Sequence, residues 1–337
     1  MRGWMLAAMA ALTLAAAPAI AADFVPPPLN GPTPWTHQRF DDAPGDFAFA
    51  VVTDLESGYR TGVFDVAIRD LQLLRPAFVI TVGDQIDGGT EDEAQLTKEW
   101  DAFDARLAGL NAPYFHVGGN HDLTNLTQRK VWERRYGARY YHFSYKGVLF
   151  LVLDTEDYPA ARMAEIYRLR ADYLATRETD PEKAKALPYA SLMEAKVGEI
   201  GEAQSAYFEK VIAANPKARH VVLLMHKPVW RRAGSGSLAR IEAALKGRSY
   251  TVLNGHLHRY GHAQKDGHDY ITLGTTGGEW ADNDTPGAFD HIMWVTMTKD
   301  GPSIANLRLD GVLDKTGKIP AGGDRLCLSR RGPNCSK

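Results

Sequence analysis

The chain has 337 residues, of which 45% are hydrophobic, enough for one large domain or two ordinary ones and too apolar for wholesale disorder. Lys and Arg total 39 against 41 Asp and Glu, a formal charge of −2. No basic field advertises nucleic-acid binding and no acidic tail suggests a solvating region, so an anionic ligand has to be held by local chemistry.

The first segment reads as a targeting signal. Arg2 gives a positive start, residues 5–17 are apolar and rich in Ala and Leu, and Pro18 breaks the run. Ala19-Ile20-Ala21 then supplies the small-x-small pattern of a signal-peptidase site. A signal peptide over residues 1–21 and a periplasmic or secreted mature protein are expected. An uncleaved anchor is the competing reading; the weak hydrophobicity of Ala and the position of Pro18 speak against it. No Cys follows the cleavage position to carry a lipid, and no later segment is long and apolar enough to span a bilayer.

Residues 22–46, full of Pro with Gly and Asn, read as an extended entry segment. Short apolar runs then alternate with amphipathic stretches. The pattern predicts a strand over 47–53, a helix over 62–74, a strand over 77–82 and a helix over 91–110. A strand over 113–117, a helix over 126–136 and a hairpin of 140–145 with 148–153, turning at Lys146-Gly147, come next. Later strands are expected over 220–225, 250–253, 270–273, 291–297 and 304–309. Alternation followed by consecutive strands indicates a layered α/β domain over about 47–310.

The stretch 158–200 breaks that rhythm as a charged helical insertion, either over the mouth of a site or as passive packing. Met163, Ile166, Tyr167, Leu169 and Tyr173 lie at helical spacing, and Asp180-Pro181-Glu182 looks like a cap followed by Pro at a first helical position. The tail, 311–337, holds the two cysteines, Cys327 and Cys335, for which a small local loop and two free thiols are equally compatible.

The chemistry lies where the strands stop. Asp54 follows the first strand, Gly83-Asp84-Gln85-Ile86-Asp87 the second, and Gly118-Gly119-Asn120-His121-Asp122 the third. His226 ends the strand at 220–225, and Gly255-His256-Leu257-His258 ends the next. Ligand sites of open α/β sheets form outside the carboxyl ends of strands, so these metal-ligand types are expected to converge. Each signal is weak alone, since an Asp after a strand usually caps a helix; the ordered set is strong. The other seven of the 11 histidines are assigned to packing, surface or local hydrogen bonds.

Taken in order, these motifs resemble the calcineurin-like metallophosphoesterase family over residues 47–309. His226-Lys227-Pro228-Val229-Trp230 and Gly274-Thr275-Thr276-Gly277-Gly278 are typical of its bacterial members. The resemblance implies a four-layered αββα sandwich and a site with two divalent metals bridged by an Asp and a hydroxide that attacks phosphorus. By position, Asp84 matches the bridging carboxylate, while Asp54 and His258 match ligands of the first metal. Asn120, His226 and His256 match ligands of the second, and His121 the non-ligand His near the leaving group, with Asp87 as its orienting partner. The physical logic agrees: a bridge must be a carboxylate, because one imidazole lone pair cannot serve two metals, and paired cations activate water and neutralise developing charge.

One motif departs. The family commonly has Asp-x-His where this chain has Asp54-Leu55-Glu56. Glu56 either joins the first metal site, whose hard oxygen ligands then favour Mn, Fe or Mg over Zn, or points away. The implied activity is hydrolysis of small phosphate esters, mono or di. The competing reading is a metal-containing phosphate-binding protein without turnover, supported only by that altered motif. Nothing in the sequence sets the oligomeric state.

Overall fold

The computed structural model describes residues 44–55, 60–232, 236–280, 287–309 and 311. The signal peptide, nearly all of the entry segment, Glu56 and both cysteines lie outside the described residues. No helix among the described residues is long and apolar enough to cross a membrane.

Among the described residues eleven strands form two mixed sheets. The first takes β1 (Phe47–Val52), β2 (Val79–Thr81), β3 (Tyr114–Phe115), β10 (His291–Thr298) and β11 (Gly301–Arg308) in the order β11-β10-β1-β2-β3. The second takes β4 (Tyr141–Tyr145), β5 (Val148–Val152), β6 (His220–Leu224), β7 (Tyr250–Asn254), β8 (Gly261–Lys265) and β9 (His268–Thr272) in the order β4-β5-β6-β7-β9-β8. Within each sheet the strands nearest the site are parallel: β1 with β2 and β2 with β3, then β5 with β6 and β6 with β7. Hairpins close the edges of the second sheet, and both central residues of each turn, Lys146-Gly147 and Asp266-Gly267, have the positive φ that two-residue hairpin turns require.

The helices are α1 (Val63–Leu74), α2 (Glu93–Leu107), α3 (Asn120–Leu123), α4 (Leu126–Tyr136), α5 (Ala160–Thr179), α6 (Pro181–Ala184), α7 (Pro188–Ser191), α8 (Met193–Val197), α9 (Glu202–Ala214) and α10 (Gly236–Ala244). Their starts follow capping chemistry. Asp92 accepts from the N–H groups of Ala94 and Gln95, Asn125 from Gln128, and Asp180, followed by Pro181, from Lys183.

Alternation along the strands builds the layers. Ala50 and Val52 of β1 face a core shared with α1, α2 and α4, while Phe49 and Val51 face the second sheet. In β5, Phe150 and Val152 meet that inter-sheet core, and Leu149 and Leu151 turn outward onto Phe208 and Ile212 of α9 and Leu238 and Ile241 of α10. The order is therefore helices, sheet, sheet, helices, the αββα sandwich. Phe49 stacks on Phe78 at 5.1 Å, and Phe78 meets Phe150 edge-on at 5.4 Å. Each such buried ring contributes about 1.5–3 kcal/mol by removal from water. From Tyr158 to Gly201 the chain is helical with no named strand, and Tyr158, Met163 and Ile166 make a small core of their own with Tyr189 and Leu192.

Candidate metal centre

Because β1, β2, β6 and β7 run parallel within their sheets, the loops after them open on one side. There Asp54, Asp84 and His258 form one cluster and Asp84, His226 and His256 another, with candidate ligand atoms within 4.8 Å of one another in each. Asp84 belongs to both. Asp54, Asp84 and His226 are essentially inaccessible, at 0%, 1% and 0% exposure, so water cannot satisfy these polar groups freely.

The main chain is bent to bring them there. Seven described non-glycine residues have positive φ, and four of them are Asp54, Asp84, His256 and His258. For L residues that conformation is uncommon and strained, and it persists where surrounding bonds over-determine it. The bonds are present: Asp54 N–H donates to the Gly83 carbonyl at 3.1 Å, Leu55 N–H to that of Asp84 at 2.9 Å, and Gly278 N–H to that of Asp54 at 2.8 Å. Gly119 has a different role. A Cβ there would overlap the Asp84 carboxylate and its main-chain nitrogen, so only glycine lets the third loop press against the second.

Each histidine is held by a carbonyl through one nitrogen. His226 Nδ1 lies 2.8 Å from the Val82 oxygen, His256 Nε2 lies 2.9 Å from that of Ala195, and His258 Nδ1 contacts that of Glu279. A carbonyl only accepts, so the contacting nitrogen carries the proton and the other nitrogen is left for a ligand. For His226 that nitrogen, Nε2, is 3.0 Å from Asp84 Oδ2, and for His258 it is 3.1 Å from Asp54 Oδ1. Asn120 is 7% exposed and its side-chain oxygen is buried with no hydrogen-bond partner. Asn120 lies between Gly119, which presses on Asp84 and His226, and His121, whose N–H binds Asp84; its orphaned oxygen, together with two carboxylates and three anchored imidazoles, makes a donor set that fits divalent metals.

Electrostatics agree with a cation site. Burial would raise the Asp84 carboxyl, but the facing His226, with His121, holds it well below the usual carboxylate range. Burial would lower His226, yet Asp84 pushes it up to about 9, and Asp54 similarly raises His258 against burial. His256 stays low because of burial and the charges of His226 and Lys227.

His121 sits at the start of α3, its N–H donating to Asp84 Oδ1 at 2.8 Å. Sequence spacing pairs its ring with the Asp87 carboxylate. The structure corrects the atom: Nδ1 lies 2.7 Å from the main-chain oxygen of Asp87, a residue that is itself exposed. The carbonyl fixes the tautomer as a carboxylate would, without adding a full negative charge, leaving Nε2 free. Burial lowers the His121 pKa.

Several contributors are not legible as site residues in the sequence. The Asp122 carboxylate accepts from the N–H groups of Gly119, Asp84, Gln85 and Ile86 at 2.8, 2.9, 2.9 and 3.3 Å. Burial and the nearby Asp84 raise its pKa to about 7. Ala195, whose carbonyl holds His256, belongs to α8, so the helical stretch is built into the centre. Next to His226, Lys227 makes a fully buried ion pair with Glu156 at 2.5 Å and donates to the Glu194 carbonyl at 3.1 Å. A cavity of about 390 Å³ opens beside His256, lined by Tyr173, Tyr189, Lys196, Arg231 and Arg259 among others.

The chain matches the calcineurin-like phosphoesterase family over residues 47–260. Among solved structures it is similar to a dimetal phosphatase from Danio rerio, with 17% identity and a TM-score of 0.53, covering 77% of this chain and 98% of that one. It is also similar to the anchor in the inner membrane complex of Plasmodium, with 13% identity and a TM-score of 0.47 over 82% of this chain and 87% of that one. For a purple acid phosphatase from yellow lupin seeds the figures are 13% and 0.49, over 75% of this chain and 50% of that one. At 17% identity the likeness to the dimetal phosphatase concerns the fold alone. No curated protein matches the chain.

Proposed function

We propose that this chain, which belongs to the calcineurin-like phosphoesterase family and is a metal-dependent hydrolase of phosphoric esters, works with two divalent ions on small phosphomonoesters or phosphodiesters. The carrying observation is that Asp84 is common to two ligand clusters. One site takes Asp54, Asp84 and His258, and the other Asp84, Asn120, His226 and His256. When bound, the two ions supply the charge that activates water and neutralises the phosphoryl group.

The residues of the chain do the rest. The carbonyls of Val82, Ala195 and Glu279 fix which imidazole nitrogen faces inward. Strained turns at Asp54 and Asp84 hold both carboxylates in place before any ligand arrives, so little reorganisation is needed. His121, held through Nδ1, offers Nε2 to the leaving-group oxygen; the negative charge of an arriving phosphate favours its protonated form, and the proton passes to the departing alkoxide. The signal-like residues 1–21 support export, and the activity then belongs to the periplasm or the exterior. Hydrolysis of a chromogenic aryl phosphate by the chelated and then Mn²⁺-reloaded protein tests the reading.

A further inference from the structure

Arg170, on α5, is 8% exposed, and among the described residues no hydrogen bond or ion pair engages its guanidinium. Two other arginines, buried Arg129 and partly buried Arg139, find partners at their terminal nitrogens, although the Nε of Arg129 is left without one. Arg129, equally enclosed, donates to the carbonyls of Tyr158 and Glu156, and Arg139 pairs with Asp154. An enclosed cation without a partner is costly, and its persistence points to an anion that completes it. None of the Arg170 nitrogens is among the fully buried unsatisfied atoms, so the fork keeps an opening to solvent.

Its neighbours say where that opening lies. Nη1 packs over Gly89, where an added Cβ would come within 2.7 Å of it. Tyr167, from the same helix, donates to the Gly89 carbonyl at 3.2 Å and fixes α5 against this turn. Gly89 is two residues beyond Asp87, whose carbonyl holds His121 at 2.7 Å. The Arg170 charge reaches His121 itself, helping burial to lower it. Along α5 the buried residues are Met163, Ile166 and Arg170, so an otherwise apolar helix face carries a single cation toward the catalytic side.

Resting on the phosphoesterase reading above, we propose that Arg170 binds the non-bridging oxygens of the substrate phosphoryl group on the His121 side. The helical stretch between β5 and β6 then supplies a substrate contact as well as a wall. A guanidinium fork suits two phosphoryl oxygens at once, whereas an ammonium presents a point charge.

The test uses the metal-loaded full chain with Arg170→Gln and Arg170→Lys, and inorganic phosphate as the probe. Arg170→Gln is expected to raise both the Ki for phosphate and the KM for an aryl phosphate by about 10- to 100-fold, the scale of a lost charged hydrogen bond. Metal stoichiometry should stay the same, and melting temperature without phosphate should hold or rise, because an unpaired buried charge is gone. Arg170→Lys should recover part of the phosphate affinity. Unchanged Ki and KM in both variants would overturn the inference, as would a phosphate-free loss of stability with phosphate affinity intact. If Arg170→Gln does not fold, wild-type Ki in Arg170→Lys overturns it equally. Wild-type protein that hydrolyses esters while the variants match it sinks this inference alone; wild-type protein with no metal-dependent hydrolysis sinks the phosphoesterase reading instead.

Discussion

The carboxylate of Asp122 accepts the main-chain N–H of Asp84 at 2.9 Å and so ties the loop after β3 to the loop after β2. With Gly119, Gln85 and Ile86 bound to the same two oxygens, a single side chain sets the position of the shared carboxylate. Asp122→Asn replaces one acceptor oxygen by a donor that faces N–H groups. Metal affinity is expected to fall by roughly 10- to 100-fold, the usual cost of losing an outer partner of a metal ligand. Metal titration of the variant checks this, and unchanged affinity would mean that Asp84 is held adequately by other bonds.

Metal loading should release protons. His226 is pushed up to about 9, so near neutrality it is charged in the metal-free protein and must give up a proton to coordinate, and the upward shift of His258 adds to the release. His256 is lowered, hence neutral, and releases none. Apparent affinity should therefore climb as pH rises from neutrality toward about 9 and level off above it. Calorimetry in buffers of different ionisation enthalpy measures the protons; zero release at pH 7 would contradict the assigned ligands.

Changing His121 separates binding from chemistry. Its side chain meets the Asp87 carbonyl and lies outside both ligand clusters. His121→Ala should keep both metals and lose roughly 10²–10⁴-fold in rate, the scale for a positioned acid or base. The deficit should shrink for esters with good leaving groups, which need less proton donation. Metal analysis beside a leaving-group series checks both parts, and loss of metal would reassign the residue.

The sequence made the strand ends legible because Asp54, Asp84, His226, His256 and His258 are side-chain signals that recur after apolar runs, and the structure brings these five together. What holds them was hidden for a physical reason. Val82, Ala195 and Glu279 act through carbonyl oxygens, which every residue possesses, so composition cannot point to them. Asp122 is visible inside Gly-Asn-His-Asp, but its role depends on N–H groups more than thirty positions earlier in the chain. The strand β8 escapes a search for apolar runs because Gly261–Lys265 is a polar edge, although Asp266-Gly267 is the turn signal that marks it. Arg170 reads as one more charge on a charged helix until its burial is known.

Glu56 lies outside the described residues, and its role is a matter for substitution. If it coordinates the first metal, Glu56→Gln weakens that site and leaves the second largely filled. Glu56→His should keep activity and move preference toward Zn²⁺, which imidazole suits better than a hard carboxylate does. Metal analysis of wild type and both variants under matched loading decides it, and identical occupancy in all three removes Glu56 from the ligand set.

The central claim, two ions joined by Asp84, is tested most directly by counting metal against activity. Chelated protein titrated with Mn²⁺ should regain aryl-phosphate hydrolysis in proportion to loading and saturate at two equivalents per chain, while Asp84→Asn should lose both binding steps and the activity. Full hydrolysis after verified metal removal, or saturation at one equivalent, would contradict it.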